Sequence, residues 1–455
     1  VVVTTLDAAG VTRLRRSSET QGWIASCRRF GSCVPTRVPH DGVVHPASRA
    51  AAVTGLVLLL AGGVIAAVCV PWDAAVAPWA ELDIPSALTS FTEQQRAEIA
   101  AYADAAWLPG LLSILASPVL ALLVLASSRA RRALSRIGPR DRPVVRDFLA
   151  AAVLLLLTRL AALPFDLWLA VVRRGNGLLI EPWATWLLRW SGATLLVALL
   201  GTLAVTIALA LLRRSPRGGW IAVVAGAGIV VALVSLAVPY ANLVEGTRSD
   251  PRVRDRVLAI ADAAGVEVGD VVIVDVADRS PVLNATVSGW GPTRTVTLYD
   301  TLLSTATPEQ VDAIVAHELV HVRDNDVVLG TVLAMLGAAA VVAFAVALAL
   351  SPGVRRRLGV QGRADTPLVA LLVGVVLAGS LVAVPVSSTI SRAIEARADR
   401  DALVIAGDPV AYADLIALLA VTNRSTLEPP QWRYALVFTH PTPLQRIAAT
   451  SAPTS

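Results

Sequence analysis

Two histidines four residues apart, His317 and His321, bracket a glutamate in the run His317-Glu318-Leu319-Val320-His321. On a helix, residues at that spacing share a face, so both imidazoles can turn a nitrogen toward one point. Two imidazole nitrogens about 2.0–2.1 Å from a common centre make half of a tetrahedral zinc site. Glu318 is displaced around the helix from His317, where it can take a proton from a water held by the metal. This spacing is the signature of zinc metalloproteases. The competing reading is a helix whose histidines merely serve a core. It is the weaker one, because the chain holds only five histidines and two stand here. Val311, Ile314, Val315, Leu319 and Val320 also make the segment apolar almost all round. Imidazole and carboxyl groups on so buried a helix need partners, and a metal supplies one.

A third ligand has to come from elsewhere. The segment Ser391–Leu403 carries Glu395 and Asp399, four apart and on one helical face. Alone this is an ordinary solvated face. Beside a two-histidine site, Glu395 is the best available carboxylate to complete a His2Glu set, with the fourth position left for water. Asp399 is then placed to accept from the far nitrogen of a ligating histidine. One Zn2+ per chain is the expected cofactor. Cys27, Cys33 and Cys69 lie far from these residues in the chain and suggest no thiolate site.

The elements that must position these groups are legible nearby. Thr307, Pro308 and Gln310 have the pattern of a capped helix start. Pro251–Ala264 reads as an amphipathic helix ended by Gly265. Asp270–Val276 reads as a buried strand, and Val282–Ser288 with Thr293–Tyr299 as a strand pair around Gly289-Trp290-Gly291-Pro292. A small sheet on a metal helix is the general layout of a zincin domain.

The rest of the chain is apolar: 55% hydrophobic against 16% charged residues, with a mean hydropathy of +0.65. That composition belongs to a multi-spanning membrane protein. Runs long enough to cross a bilayer stand at 51–70, 107–126, 148–171, 191–212, 220–239, 327–350 and 367–388. The third carries Arg159 and Asp166, charges expected to face the bundle interior. The fold class expected is mainly α: a multi-pass membrane protein of about seven transmembrane helices with a zincin-type metalloprotease domain containing a small β-sheet. Its parts are a disordered Arg-rich tail (1–49), spans one to five (50–239), the domain bearing the histidines (240–326), spans six and seven (327–390), and a C-terminal part with the glutamate ligand (391–455). His40 and His45 fall in the tail and are not candidate ligands.

The net charge of +5 is carried by arginine alone. The arginines cluster in short loops between spans, so topology explains them and nucleic acid is not an expected partner. Arg129, Arg131, Arg132, Arg136, Arg140, Arg142 and Arg146 follow span two, Arg213, Arg214 and Arg217 span four, and Arg355, Arg356, Arg357 and Arg363 span six. With seven spans these loops share one side. The histidine-bearing domain falls on the other, so it is expected to face away from the cytoplasm at the cell membrane.

Several segments in order resemble the type I CAAX prenyl proteases, integral-membrane zinc endopeptidases, and more distantly the bacterial heat-shock membrane zinc proteases. They are Arg279–Gly289 (RSPVLNATVSG), Val296–Leu303 (VTLYDTLL), HELVH followed by Asn325, SRAIEARAD and THPTPLQRI. The likeness covers roughly 50–450 and is strongest from 240 onward. The residues after His321 are Val-Arg-Asp-Asn-Asp, without the family's usual Trp. The resemblance therefore carries the metal site and not the substrate class. It implies a membrane-embedded zinc-dependent metalloendopeptidase that hydrolyses protein or peptide substrates, lipidated or membrane-associated, in a chamber enclosed by the spans. His440 is the expected oxyanion donor, Arg446 an electrostatic helper at the substrate, and Asn284-Ala285 the strand edge that grips the peptide backbone. The rival is a non-enzymatic membrane scaffold or transporter with a structural zinc. Closed structural sites have four protein ligands, whereas three are visible here, and transporter-type inverted repeats are not evident.

Overall fold

The computed structural model describes residues 46–74, 81–215, 217–245, 247–289, 291–360 and 366–451, together with four short strands earlier in the chain. His40, His45 and Trp290 lie outside the described residues. Two units result. In residues 1–46, Val3–Leu6 pairs antiparallel with Thr12–Arg15, and Trp23–Cys27 with Cys33–Arg37. The remainder, 47–455, is the second unit.

Seven long helices dominate the second unit: Pro46–Cys69, Glu93–Ala126, Pro143–Gly175, Trp183–Arg214, Gly219–Glu245, Asp326–Leu350 and Pro367–Ala406. Six of them are long and apolar enough to cross a membrane; the fifth qualifies only as a shorter apolar helix over its described stretch, Gly219–Ser235. The count of about seven is thus six, plus that shorter helix. The packing is the inverse of a soluble core. Leu56, Val57, Leu60 and Leu188 are more than half exposed, while Ala51, Ala121, Ala150 and Ala151 are fully buried. Small residues at helix contacts let backbones approach where lipid covers the large ones. Gly379 shows the closeness, since a Cβ there would stand 2.6 Å from Val341. The charges of the third helix do turn inward: Arg159 lies 3.7 Å from Asp166, and Trp190 Nε1 donates to Asp166 at 2.8 Å.

Helices outrun their apolar stretches. The second begins well before residue 107, at a capping box formed by Thr92 and Gln95. The last runs unbroken for 40 residues through Pro385, from the membrane span into the segment bearing Glu395 and Asp399. The expected boundary at 390 therefore falls inside one helix. Hydropathy marks where lipid contact stops, and helical hydrogen bonding continues past it.

Between the fifth and sixth long helices lies a mixed sheet. Its order is Thr247–Arg248, Asp270–Val274, Thr295–Tyr299, Ala285–Ser288. Asp270–Val274 and Thr295–Tyr299 run parallel; the outer pairs are antiparallel. Both strands of the expected pair form, shortened by two or three residues at their starts. Helix Pro251–Ala264 connects the first two strands of the sheet and ends, as expected, at left-handed Gly265 (φ 69°). Helix Pro308–Arg323 packs beside the sheet, and Val315, Leu319, Leu298, Leu302 and Leu444 are fully buried around it.

Candidate metal centre

Helix Pro308–Arg323 opens on the capping box read from the sequence: Thr307 Oγ1 accepts from Gln310 N at 3.3 Å, and Gln310 Oε1 accepts from Thr307 N at 2.9 Å. Two turns later His317 and His321 share a face, with Nε2 atoms 3.2 Å apart. The long Pro367–Ala406 helix brings Glu395 against both. Its Oε2 lies 3.2 Å from His317 Nε2, and its Oε1 3.7 Å from His321 Nε2. One donor atom from each of these three residues lies within 4.8 Å of the others.

The donor set fits zinc. Two nitrogens of a tetrahedral site stand roughly 3.3 Å apart for bonds of about 2.0–2.1 Å, close to the observed spacing. Glu395 Oε2 is buried against imidazole nitrogens, 3.2 Å from His317 Nε2 and 3.3 Å from His440 Nε2, with no other hydrogen-bond donor on it among the described residues. A buried carboxylate oxygen so placed is costly unless a cation satisfies it.

Each histidine is oriented from behind. His317 Nδ1 lies 3.0 Å from Asp399 Oδ1, and His321 Nδ1 lies 2.9 Å from Asp326 Oδ2. A carboxylate at Nδ1 fixes the proton there and leaves the Nε2 lone pair for a metal. Both carboxylates are braced in turn. Arg446 grips Asp399 through Nε at 2.9 Å and Nη2 at 2.6 Å, and Tyr412 Oη donates to it at 2.5 Å. Arg397 Nη2 donates to both oxygens of Asp326, at 2.5 and 2.6 Å.

Protonation follows from these contacts. Burial disfavours a charged His321, but Asp326 and Glu395 outweigh it, and without a metal its pKa is pushed up to about 10. His317 is raised for the same reason by Asp399 and Glu395, against burial. Burial lifts the Glu318 carboxyl above its ordinary range, with the two histidines pulling the other way.

Glu318 has no hydrogen bond or ion pair among the described residues. It faces a cavity of about 140 Å³ lined also by Asn284, His317, His440 and Arg446. His440 holds Nδ1 2.9 Å from Thr439 Oγ1 and Nε2 3.3 Å from Glu395 Oε2. Ala285 begins the outer strand of the sheet, with Asn284 just before it. Arg446 borders the cavity while its guanidinium donates to Asp399.

Asp326, Arg397, Tyr412 and Asn423 escaped the sequence reading. The route to Asp326 explains why. Asn325 adopts a left-handed backbone (φ 59°) between the histidine helix and the next long helix. Only that reversal turns Asp326 back toward His321, and helical periodicity gives no sign of it.

Comparison with known proteins places this geometry. Residues 247–454 match peptidase family M48. An uncharacterized metalloprotease, YhfN, of Bacillus subtilis is 27% identical over 196 residues, covering 42% of this chain and 46% of that protein. A protease HtpX homolog of Ralstonia pickettii is 31% identical over 171 residues, covering 37% and 55%. The chain thus spans about half the length of these curated relatives. The crystal structure of S. mikatae Ste24p superimposes with a TM-score of 0.69 over 90% of this chain and 100% of that one, at 16% identity. The fold is therefore like that of Ste24p, and residues 247–454, the part of the chain that carries His317, His321 and Glu395, match peptidase family M48.

Proposed function

We propose that this protein is a membrane-embedded, zinc-dependent metalloendopeptidase. One observation carries the reading: three side chains able to hold a metal converge beside Glu318, a carboxylate that has no partner among the described residues and faces a cavity. His317, His321 and Glu395 would hold zinc, which would supply Lewis acidity toward the scissile carbonyl and toward water. Glu318 takes the proton of the attacking water and returns it to the leaving amine. Asp399 and Asp326 keep the protons of His317 and His321 on Nδ1. His440 donates from Nε2 to the developing oxyanion. The strand edge at Asn284-Ala285 holds the peptide as an added strand, with the Asn284 side-chain amide gripping the peptide backbone.

The substrates are proteins or peptides associated with or lipid-anchored to the membrane, because the catalytic part is joined directly to its spans. It occupies 240–326 and 391–455, with the two spans of 327–390 between, and faces away from the cytoplasm. A scaffold with a structural zinc is disfavoured, since three ligands beside an unpaired base suit an open site.

The test is Glu318→Gln in the full-length protein. It is expected to keep its zinc and lose peptide cleavage, because Glu318 is a base and not a ligand. Cleavage at the wild-type rate by the zinc-loaded variant would defeat the mechanism.

A further inference from the structure

The outermost strand of the sheet does not end freely. Ala285–Ser288 pairs with Thr295–Tyr299 on one side only. In an antiparallel pair, alternate residues turn their N–H and C=O toward the partner strand and away from it. Tyr299 N donates to Asn284 O at 3.1 Å, so Asn284, Thr286 and Ser288 face the partner. Leu283, Ala285 and Val287 therefore direct their backbone groups to the open edge.

At Leu283 that edge is already occupied. Leu283 N donates to Asn423 Oδ1 at 3.0 Å, and Asn423 Nδ2 donates to Leu283 O at 3.1 Å. One carboxamide thus supplies the donor and the acceptor that a residue of a neighbouring strand would supply. Asn423 sits at the end of helix Pro409–Thr422, 140 positions from its partner. Both residues line the same cavity as His317, Glu318 and His440. Next to them the wall is apolar, formed by Ile314, Leu415, Ile416 and Leu419.

We infer that Asn423 is a positioning residue that ends the strand-accepting edge and so divides substrate recognition into two kinds. This rests on the peptide-binding reading above. From Ala285 toward Val287 the enzyme reads the main chain of an extended peptide. Beyond Ala285, on the Leu283 side, no main-chain pair remains, and the peptide is held by an apolar side chain in the cavity. The class of substrate is an extended segment with an apolar residue beside the scissile bond, paired through its backbone on one side only.

The test measures binding, so it does not depend on cleavage. Full-length zinc-loaded protein carrying Glu318→Gln is titrated with a fluorescein-labelled nine-residue peptide, one central leucine among serines and alanines. Single backbone N-methyl groups are moved along the peptide. A lost hydrogen bond of about 1 kcal/mol weakens Kd about 5-fold. The expected pattern is two sensitive amide positions with Asn423 present. Adding Asn423→Ala should create a third, two residues further along, because only alternate residues face an edge. Asn423→Asp, which removes the donor and keeps the shape, serves where the alanine variant fails to retain zinc. An unchanged N-methyl profile in the variant overturns the role of Asn423, as does a peptide that binds neither protein. Binding with the expected profile in an enzyme whose wild-type form cuts nothing would instead overturn the peptidase reading and leave the edge assignment standing.

Discussion

The metal centre depends on protons as much as on metal. Without a cation, the carboxylates around His321 hold its pKa at about 10, so zinc must displace a proton to bind. Its apparent affinity is expected to rise with pH up to that value, by as much as tenfold per unit for the one proton. The sign for folding differs. A histidine whose folded pKa exceeds its unfolded value stabilises fully below about 6.5 and loses that contribution as pH rises. Zinc-stripped protein should therefore lose thermal stability between about 6.5 and 10, while zinc-loaded protein does not. Melting curves with and without chelator decide it. Glu318 adds a kinetic limb: burial raises its pKa above 4.5, and it works deprotonated, so cleavage should fail on acidification at a pH above that value. The carboxylates behind the histidines give a further expectation. Asp326→Asn and Asp399→Asn should each weaken zinc binding by about 10–100-fold, whereas Glu395→Ala should remove most of the zinc. Competition with a chromophoric chelator measures all three, and an unaltered Glu395→Ala would send the search to another ligand.

Among the elements, those specified by local chemistry were legible. Thr307, Pro308 and Gln310 announce the histidine helix, and Gly265 closes the helix before the sheet. His317, Glu318 and His321 follow from one spacing, and the sequence offered Glu395 and Asp399 on a second helix, which the fold brings beside them. What stayed hidden depends on single backbone angles or on distant pairings. Asp326 reaches His321 through left-handed Asn325, and Asn423 meets Leu283 across the whole second half of the domain. Neither leaves a periodic trace. The left-handed turn makes its own expectation. Asn tolerates this conformation, glycine more so, and a β-branched residue costs about 1–2 kcal/mol or more there. Asn325→Gly should keep zinc affinity, whereas Asn325→Val should lower both Tm and zinc affinity by displacing Asp326. Equal zinc affinity in the two variants would separate the turn from the site.

For the molecule as a whole, arginine supports the orientation proposed above. The loop after the second long helix and the short helix Pro352–Leu358 are arginine-rich, and positive loops stay in the cytoplasm. On the topology proposed above, the part bearing His317 and Glu395 is expected outside. In a background lacking Cys27, Cys33 and Cys69, Glu267→Cys offers a thiol at an exposed position of that part. It should react with an impermeant reagent in intact cells; labelling only after lysis would reverse the topology.

The unbroken helix Pro367–Ala406 adds a mechanical consequence. Forty residues make a rod of about 60 Å, twice the thickness of a hydrocarbon core of about 30 Å. One end, Pro367–Gly374, is buried among the other helices of the bundle, and the other carries Glu395. A helix adjusts to a thinner or thicker bilayer by tilting, and here any tilt swings a ligand against two histidines fixed on a separate helix. Bilayer thickness is thereby expected to act on the metal centre. Reconstituted into lipids of 14-carbon and then 18-carbon chains, it should show different zinc affinities. Pro385, inside that rod, is the natural joint, and Pro385→Ala should stiffen it and steepen the dependence. Identical affinities in the two bilayers would mean that the joint absorbs the motion before it reaches Glu395.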